Sequence, residues 1–345
     1  MTGGADKVPS GGADTAQARK RTWGTWGRLF RIAFLPIMVV IFGTMAVPVL
    51  AALHLDVSLA VFAVVALAVA AHLFWFCYGT VLNDYYDQDI DARHPFGSTP
   101  FTEGYFTEKE KRRIIWTWAA LAALCEAGLF VYIYMTHPRP AMDLLAYAVF
   151  LAMGIVLATV YSMPPVHAKR RFLGPAWTLL LVFVTGFLRF CLVFGGWDFL
   201  VLNAGYIFGI CLFLYLDHMI TSLSLKDIGD AYADDRGNAR TVPLVLGFRA
   251  ALYMSVVVLI VTTLAGLLLV VMGWLQWWFL LTYAGLVTYF YLYREMNGWI
   301  DEVSRDKNYF YKVPIRKKFL AFGYILNWGI WIPAFMLAFN GNLLL

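Results

Sequence analysis

Charged residues are scarce in this chain of 345 residues. Asp, Glu, Lys and Arg make up 14% of it, whereas hydrophobic residues make up 61%. Soluble domains are about one-quarter charged, so this scarcity excludes an ordinary soluble domain and predicts a membrane protein. Cysteine is scarce too, with four residues and no CxxC pair, which argues against a disulfide framework or a zinc site.

Long apolar runs take the place of the missing charge. About 20 apolar residues span a bilayer as a helix, and the sequence predicts an all-α bundle of about nine such spans. They are expected at 32–54, 57–82, 114–136, 141–161, 172–195, 198–222, 250–273, 275–293 and 319–340. Thr107 and Glu110 form a capping-box pattern, which predicts a helix start there.

The loops between these spans are too short to form a second folded unit. Residues 1–27 are predicted to be a disordered cytoplasmic tail, because they are mostly Gly, Ala and charged residues before the first apolar run. Residues 28–345 are predicted to form a single transmembrane domain.

Lys and Arg are distributed unevenly between the two sides of the membrane. With the N-terminus in the cytoplasm, 25 of the 27 Lys and Arg residues fall on the cytoplasmic side, and only Arg139 and Arg189 do not. The positive-inside rule favours this orientation. We therefore predict a multi-pass integral membrane protein, of the plasma membrane if bacterial. The net charge of +5 follows from this asymmetry and does not indicate nucleic-acid binding.

Two acidic clusters with the same spacing lie at the cytoplasmic ends of predicted spans. Carboxylates at i, i+3 and i+7 share one face of a helix, and such a stack repels itself unless a cation lies among them. The clusters are Asn83, Asp84, Asp87 and Asp91 in NDYYDQDID, and Asp227, Asp230 and Asp234 in KDIGDAYAD. Solvated loop charges are the alternative for either cluster alone, but the shared spacing and position favour paired divalent-cation sites.

The two clusters predict a site for a metal-bound diphosphate. Mg²⁺ prefers oxygen ligands and is commonly held by one or two carboxylates plus substrate phosphates. The charge of Mg²⁺ would neutralise the negative charge of the diphosphate as its carbon–oxygen bond breaks. Nearby basic residues would pair with the diphosphate oxygens that the metal leaves free. Alternatively, these residues only set the membrane topology, and this second interpretation is favoured for Arg170 and Arg171. The basic residues are Lys169, Arg170, Arg171, Lys226 and Arg240.

Three cytoplasmic motifs occur in an order that one known family shares. NDYYDQDID is similar to an NDxxDxxxD signature, and KDIGDAYADDRGNARTVPLVLG to a DxxDxxxD signature followed by Arg-Thr-x-Pro and Gly. TVYSMPPVHAKRR is similar to a Tyr-Ser-x-Pro-Pro…Lys-Arg loop between them. Together they resemble the UbiA superfamily of intramembrane prenyltransferases, over residues 28–340.

This resemblance implies a nine-helix bundle around a central cavity that opens towards the lipid. The active site is expected to open on the cytoplasmic side. It implies a polyprenyl diphosphate donor whose tail lies among the spans, and Mg²⁺ as the cofactor. The implied Mg²⁺ ligands are Asn83, Asp84, Asp87, Asp91, Asp227, Asp230 and Asp234, of which Asp84, Asp87 and Asp230 are expected to be central to catalysis. The residues expected to contact the diphosphate are Tyr161, Lys169, Lys226 and Arg240.

The acceptor is open. An aromatic or quinone-like acceptor is the first expectation because such acceptors are common in the family. A lipid or isoprenoid acceptor, and a terpene cyclase that acts on the prenyl diphosphate itself, are the alternatives. Thr99 stands where many members carry Arg, and no Lys or Arg lies between Arg93 and Lys109, which favours the cyclase modestly. A cation-coupled transporter is disfavoured, because its site would lie near the bilayer midplane.

Charged residues inside the spans are costly and often functional. Asp217 and Arg189 are candidates for an acceptor pocket. Asp217 lies ten residues before Asp227, which is nearly three turns deeper on a continuous helix. A structural salt bridge between Asp217 and Arg189 is the favoured alternative.

Overall fold

A computed structural model describes residues 20–56, 58–92, 99–220, 227–307, 309–312, 323 and 325–340. Lys226 and residues 1–19 of the expected tail lie outside this part of the chain. Its α-helices are α1 (Trp23–Leu29), α2 (Leu35–Ala52), α3 (Leu59–Tyr86), α4 (Gln88–Asp91), α5 (Glu108–Thr136), α6 (Pro140–Ser162), α7 (Gly174–Leu202), α8 (Ala204–Ile220), α9 (Asp227–Arg236), α10 (Val242–Leu246), α11 (Phe248–Val271), α12 (Leu286–Arg305), α13 (Tyr309–Lys312) and α14 (Ile332–Leu337).

Tighter and wider turns connect some of these helices. Short 3₁₀ turns cover Ile32–Phe34, Ala168–Arg170 and Trp277–Gly285, and a π-helical segment, Ile325–Trp331, leads directly into α14. Where the chain is described it contains no β-strand, and its one isolated bridge pairs Leu275 with Phe339. The predicted all-α fold is confirmed.

Six segments of the described chain are long and apolar enough to cross a membrane. They are Ile32–Ala52, Leu59–Tyr86, Glu108–Thr136, Pro140–Ser162, Ala176–Leu202 and Phe248–Val271. Two shorter apolar helices, Ala204–Ile220 and Ile325–Leu337, fall in the predicted sixth and ninth spans. The count of nine is not confirmed, because the span expected at 275–293 is divided between a 3₁₀ turn and the start of α12.

Local sequence sets where the long helices begin. The Ser58 hydroxyl accepts a hydrogen bond from the Val61 amide at the start of α3. Thr107 caps α5, and the Glu110 carboxylate returns to the Thr107 amide at 2.9 Å, which confirms the predicted capping box. Pro140 opens α6, where its missing amide hydrogen is not needed.

Each long helix has one face inside the bundle and one face outside it. In α5, Leu124 and Met135 are 71% and 74% exposed, whereas Leu129 is fully buried. Because lipid tails are as apolar as these side chains, close packing between helices stabilises such a bundle. Phe213 of α8 and Phe335 of α14 stack with ring centroids 3.7 Å apart, which joins the last helix to the core.

A buried ion pair lies between α5 and α7. Arg189 Nη1 donates to Glu126 Oε1 at 2.5 Å, and the same carboxylate accepts from the Tyr147 hydroxyl at 2.6 Å and from Trp75 Nε1 at 3.0 Å. The expected salt bridge between Asp217 and Arg189 is therefore wrong. The carboxylate that reaches Arg189 comes from α5 rather than α8, and it holds the guanidinium together with donors from two further helices.

Candidate active site

The first acidic cluster lies where α3 ends and α4 begins. Helix α3 stops at Tyr86, and Asp87 has the non-helical angles φ −100° and ψ 10° before α4 starts. The single continuous helix face expected for this cluster is therefore wrong: Asp84 lies on α3, Asp87 at the junction and Asp91 on α4. Asp84 is 2% exposed and Asp87 is fully buried. Because a buried carboxylate without a partner is costly, both require a cation nearby.

Lys169 supplies that cation for Asp87. Its ammonium group donates to Asp87 Oδ2 and, at 3.3 Å, to the side-chain oxygen of Asn83. Lys169 lies in the short turn Ala168–Arg170 that precedes α7. The sequence-based expectation that this loop reaches the acidic surface matches the contact, although contact with a diphosphate stays a prediction.

Arg31 supplies the cation for Asp84. Its Nη2 atom lies 3.0 Å from Asp84 Oδ1. Arg31 has left-handed backbone angles, φ 49° and ψ 44°, which are uncommon for a residue with a side chain. Arg31 was not among the site residues predicted from the sequence. The available signal was a basic residue at the start of the first span, on the same predicted side as both acidic clusters.

The two carboxyl groups beyond α3 differ in their protonation. Burial alone would raise the pKa of Asp87, but the charge of Lys169 and the nearby His167 imidazole outweigh it and hold the pKa below its ordinary value. Burial raises the pKa of Asp91 to about 7, because Lys169 offsets only part of the desolvation. The cluster thus combines a carboxylate that stays ionised with one that is easily protonated.

The loop after α6 provides further contacts to this cluster. His167 Nε2 lies 3.5 Å from Asp87 Oδ1, and the Ser162 hydroxyl donates to the Asn83 side-chain oxygen at 3.3 Å. His167 and Ser162 were not among the predicted site residues, although both lie in the TVYSMPPVHAKRR motif. Tyr161, which was among them, is buried at 6% exposure at the end of α6.

The second acidic cluster lies on one unbroken helix, α9. Asp227 and Asp234 are buried, at 3% and 6% exposure, and Asp230 is partly buried. The neighbouring Asp235 is instead exposed and pairs with Lys307 at 2.7 Å. Asp227, Asp230 and Asp234 therefore follow the spacing of one helix, as expected, and Asp235 does not belong to the cluster.

The basic turn joins the two acidic motifs. The Arg170 side chain donates to Asp89 at 2.7 Å, next to the first cluster, while its carbonyl accepts from the Arg240 amide at 2.8 Å, just beyond the second. Ile90 of α4 lies against Gly237, so closely that a Cβ atom on Gly237 would be 2.7 Å from it. The three motifs that are distant in sequence thus meet in one place, although the Arg240 side chain is exposed.

The residues of this place fit a hard divalent cation. Asp87 Oδ1 and Asp91 Oδ2 are buried and have no hydrogen-bond partner among the described residues, and carboxylate oxygens are the ligands that Mg²⁺ prefers. Within the same residues no three carboxylates, histidines or cysteines are grouped as a metal site as they stand. Arg31 and Lys169 occupy carboxylate oxygens that a metal ion would need.

Several solved structures share the fold of this protein. A digeranylgeranylglyceryl phosphate synthase aligns with a TM-score of 0.55 and 16% identity, over 91% of this chain and 97% of the other. A UbiA homolog from Archaeoglobus fulgidus bound to DMAPP and Mg²⁺ aligns with a TM-score of 0.54 and 17% identity, over 88% of this chain and 98% of the other. The form of that homolog bound to GPP and Mg²⁺ aligns with a TM-score of 0.51 and 15% identity, over 88% of this chain and 99% of the other. At these identities the similarity establishes the fold alone.

The sequence places the chain within a family of that fold. The UbiA prenyltransferase family matches residues 39–323, which include both acidic motifs and the basic turn. The chain therefore belongs to the UbiA prenyltransferase family, as its motifs predicted. A comparison with curated proteins finds no significant match.

Proposed function

We propose that this protein transfers a prenyl group from a polyprenyl diphosphate to an acceptor within the membrane, in a Mg²⁺-dependent reaction. The observation that carries the proposal is the Ala168–Arg170 turn, which contacts the first acidic cluster through Lys169 and the segment after the second through the Arg170 carbonyl. Basic groups between two acidic clusters suit a ligand that is both anionic and metal-bound. The DMAPP and GPP bound with Mg²⁺ by the Archaeoglobus homolog support this choice of ligand.

The two clusters would hold Mg²⁺, which neutralises diphosphate charge when bound. The proposed ligands are Asn83, Asp84, Asp87, Asp91, Asp227, Asp230 and Asp234. Arg31 and Lys169 would then leave the carboxylates and pair with diphosphate oxygens, as Arg and Lys do with phosphate groups. Tyr161, Lys226 and Arg240 are further proposed contacts of the diphosphate.

The chemistry follows from the leaving group. The bond between C1 of the prenyl chain and the diphosphate oxygen breaks, and its electron pair stays on the diphosphate. An electron-rich carbon or oxygen of the acceptor forms a bond to C1 and then loses its proton. The apolar bundle excludes water that would otherwise capture C1. We propose that the site opens on the cytoplasmic side, because 25 of the 27 Lys and Arg residues lie on that predicted side.

The proposed acceptor is aromatic or quinone-like, and one assay compares it with the alternatives. Purified protein is incubated with Mg²⁺ and labelled farnesyl, geranylgeranyl or longer diphosphates, with no acceptor, with a quinone precursor, or with a lipid extract. A prenylated ring supports the proposal. A hydrocarbon or terpene alcohol formed without acceptor indicates a cyclase, and a product only with lipid indicates a lipid or isoprenoid acceptor. No diphosphate release in any arm contradicts prenyl transfer.

Matched substitutions test the metal assignment. Asp84→Asn and Asp230→Asn should each abolish turnover, since they remove a proposed Mg²⁺ ligand from either cluster. The controls are Asp89→Asn and Asp235→Asn, which change exposed carboxylates, 49% and 50% accessible, that pair with Arg170 and Lys307. Normal Mg²⁺-dependent turnover in Asp84→Asn and Asp230→Asn would rule out the assignment.

A further inference from the structure

Asp217 of α8 is a fully buried carboxylate that forms no ion pair within the described residues. Neither of its oxygens has a hydrogen-bond partner within the described residues. Two other carboxylates buried inside the long helices are satisfied: Glu126 by three donors, and Asp143 by His137 Nδ1 at 2.8 Å and by a backbone amide at 2.7 Å. An ionisable side chain inside a membrane bundle is costly and suggests a functional site.

Asn327 is a polar neighbour of Asp217. Its Nδ2 atom donates to the Asp217 backbone carbonyl at 2.9 Å. The Asn327 Oδ1 atom is buried and has no hydrogen-bond partner in the described chain. Asn327 lies in the π-helical segment Ile325–Trp331, and π-helical turns are rare and frequently occur at functional sites.

Tyr289 of α12 adds a third oxygen. Its side chain is 1% exposed, and its hydroxyl has no hydrogen-bond partner among the described residues. The ring packs in one buried cluster with Ile220 at the end of α8 and with Leu326, which precedes Asn327. Tyr293 stacks on Tyr289 at 5.8 Å, and its hydroxyl is 2.5 Å from the Ser255 hydroxyl, which donates to the Ile220 carbonyl. A line of polar groups therefore leads from Tyr289 towards the end of α8.

Two basic residues of α7 and α8 have other contacts. Arg189 pairs with Glu126, and the ring of His218 stacks on Trp328 with centroids 5.1 Å apart. A bound cation would complete the site, because oxygen atoms alone select hard cations. One carboxylate matches one positive charge, whereas a divalent ion would leave an uncompensated charge in a low-dielectric interior. Mg²⁺ also gives up its water reluctantly.

We propose that Asp217, Asn327 and Tyr289 bind a monovalent cation of the size of Na⁺ or K⁺. The ligands are the Asp217 carboxylate, the Asn327 side-chain oxygen and the Tyr289 hydroxyl. The ion joins α8 to α12 and to the segment Ile325–Trp331, and none of its ligands belongs to the two acidic clusters or the basic turn. Because an ion that binds only the folded state stabilises it, the site makes stability depend on the cation present.

Thermal unfolding of the full-length protein in detergent tests this site. The midpoint is measured in NaCl, KCl and choline chloride at constant ionic strength, with Mg²⁺ saturating so that the acidic clusters stay in one state. A midpoint that rises with Na⁺ or K⁺ and then levels off, but does not rise with choline, supports the site. Equal midpoints in the three salts overturn it.

Substitutions locate the effect. Asp217→Asn should remove the difference between Na⁺ and choline, and Tyr289→Phe should raise the Na⁺ concentration for half the effect several-fold while keeping the ring. Asp143→Asn is the control, because it changes a buried carboxylate that already has partners: the midpoint falls and the cation dependence stays. An unchanged cation dependence in Asp217→Asn, or in Tyr289→Phe if the first variant does not fold, overturns the proposal.

Discussion

Arg31 and Asp84 form an ion pair with 3.0 Å between Nη2 and Oδ1, although they are 53 positions apart in sequence. The Asp84 side chain is 3% exposed, whereas the Arg31 side chain is 43% exposed. The guanidinium can therefore leave without crossing the core, while the carboxylate stays in place. Arg31 therefore neutralises Asp84 in this structure, and we propose that a metal ion and an anionic substrate take its place during the reaction.

Replacement of Arg31 tests that role. In Arg31→Gln we expect kcat/KM for the prenyl diphosphate to fall about 10- to 100-fold, since a hydrogen bond to a charged group contributes about 1.5–3 kcal/mol and about 1.4 kcal/mol corresponds to tenfold. Steady-state kinetics with varied donor measure it. The control, Arg28→Gln, removes a neighbouring arginine that pairs with Glu103 at 2.7 Å. Equal kinetics in the two variants would contradict the role of Arg31.

Lys169 should be replaceable by Mg²⁺ as a partner of Asp87. In Lys169→Met the buried Asp87 carboxylate loses its main counter-charge, and loss of one partner of a buried pair costs about 3–5 kcal/mol. We expect a lower thermal midpoint without Mg²⁺, and a larger rise on adding Mg²⁺ than in the unaltered protein. In the control Arg171→Gln, which removes only a hydrogen bond to the Pro165 carbonyl, both values should stay unchanged. An equal response to Mg²⁺ in both variants would contradict the prediction that Mg²⁺ and Lys169 bind the same Asp87 carboxylate.

The sequence predicted the features that short-range patterns encode. Apolar runs predicted the membrane helices, and Thr107 and Glu110 predicted the start of α5. The acidic spacing selected Asp87, which contacts Lys169 of the basic turn. Asp227, Asp230 and Asp234 do lie on one helix. These predictions succeed because they depend on residues within about one or two helical turns of each other.

Other features depend on contacts that no local pattern specifies. The break at Asp87 follows no Gly or Pro, and Asp87 is held there by Lys169, 82 positions away. Two carboxylates in predicted spans, Asp217 and Glu126, were possible partners of Arg189. The packing of α5 against α7 places Glu126 next to it. The predicted count of nine spans is not confirmed, because hydropathy does not distinguish a 3₁₀ segment such as Trp277–Gly285 from an α-helix.

The pair of Glu126 and Arg189 should be structural rather than part of an acceptor pocket. Glu126→Leu and Arg189→Leu should each lower the unfolding free energy by about 3–5 kcal/mol, because each leaves one buried charge alone. The double variant Glu126→Leu/Arg189→Leu should be more stable than either. Thermal unfolding in detergent measures this, and unaltered acceptor KM in the double variant would support a structural role. If Arg189→Leu raises the acceptor KM without loss of stability, Arg189 belongs to the acceptor pocket instead.

The contact between Gly237 and Ile90 should control how closely the two acidic motifs approach. A Cβ atom at position 237 would lie 2.7 Å from Ile90 Cγ1, so Gly237→Ala must push α4 away from the end of α9. We expect a loss of about 1–3 kcal/mol in unfolding free energy from overpacking and a large fall in Mg²⁺-dependent turnover. The double variant Gly237→Ala/Ile90→Ala should recover turnover, because it removes the atoms in conflict. Gly298→Ala is the control, since nothing lies within 4 Å of its added Cβ atom. Full turnover in Gly237→Ala would show that the spacing of α4 and α9 does not limit the reaction.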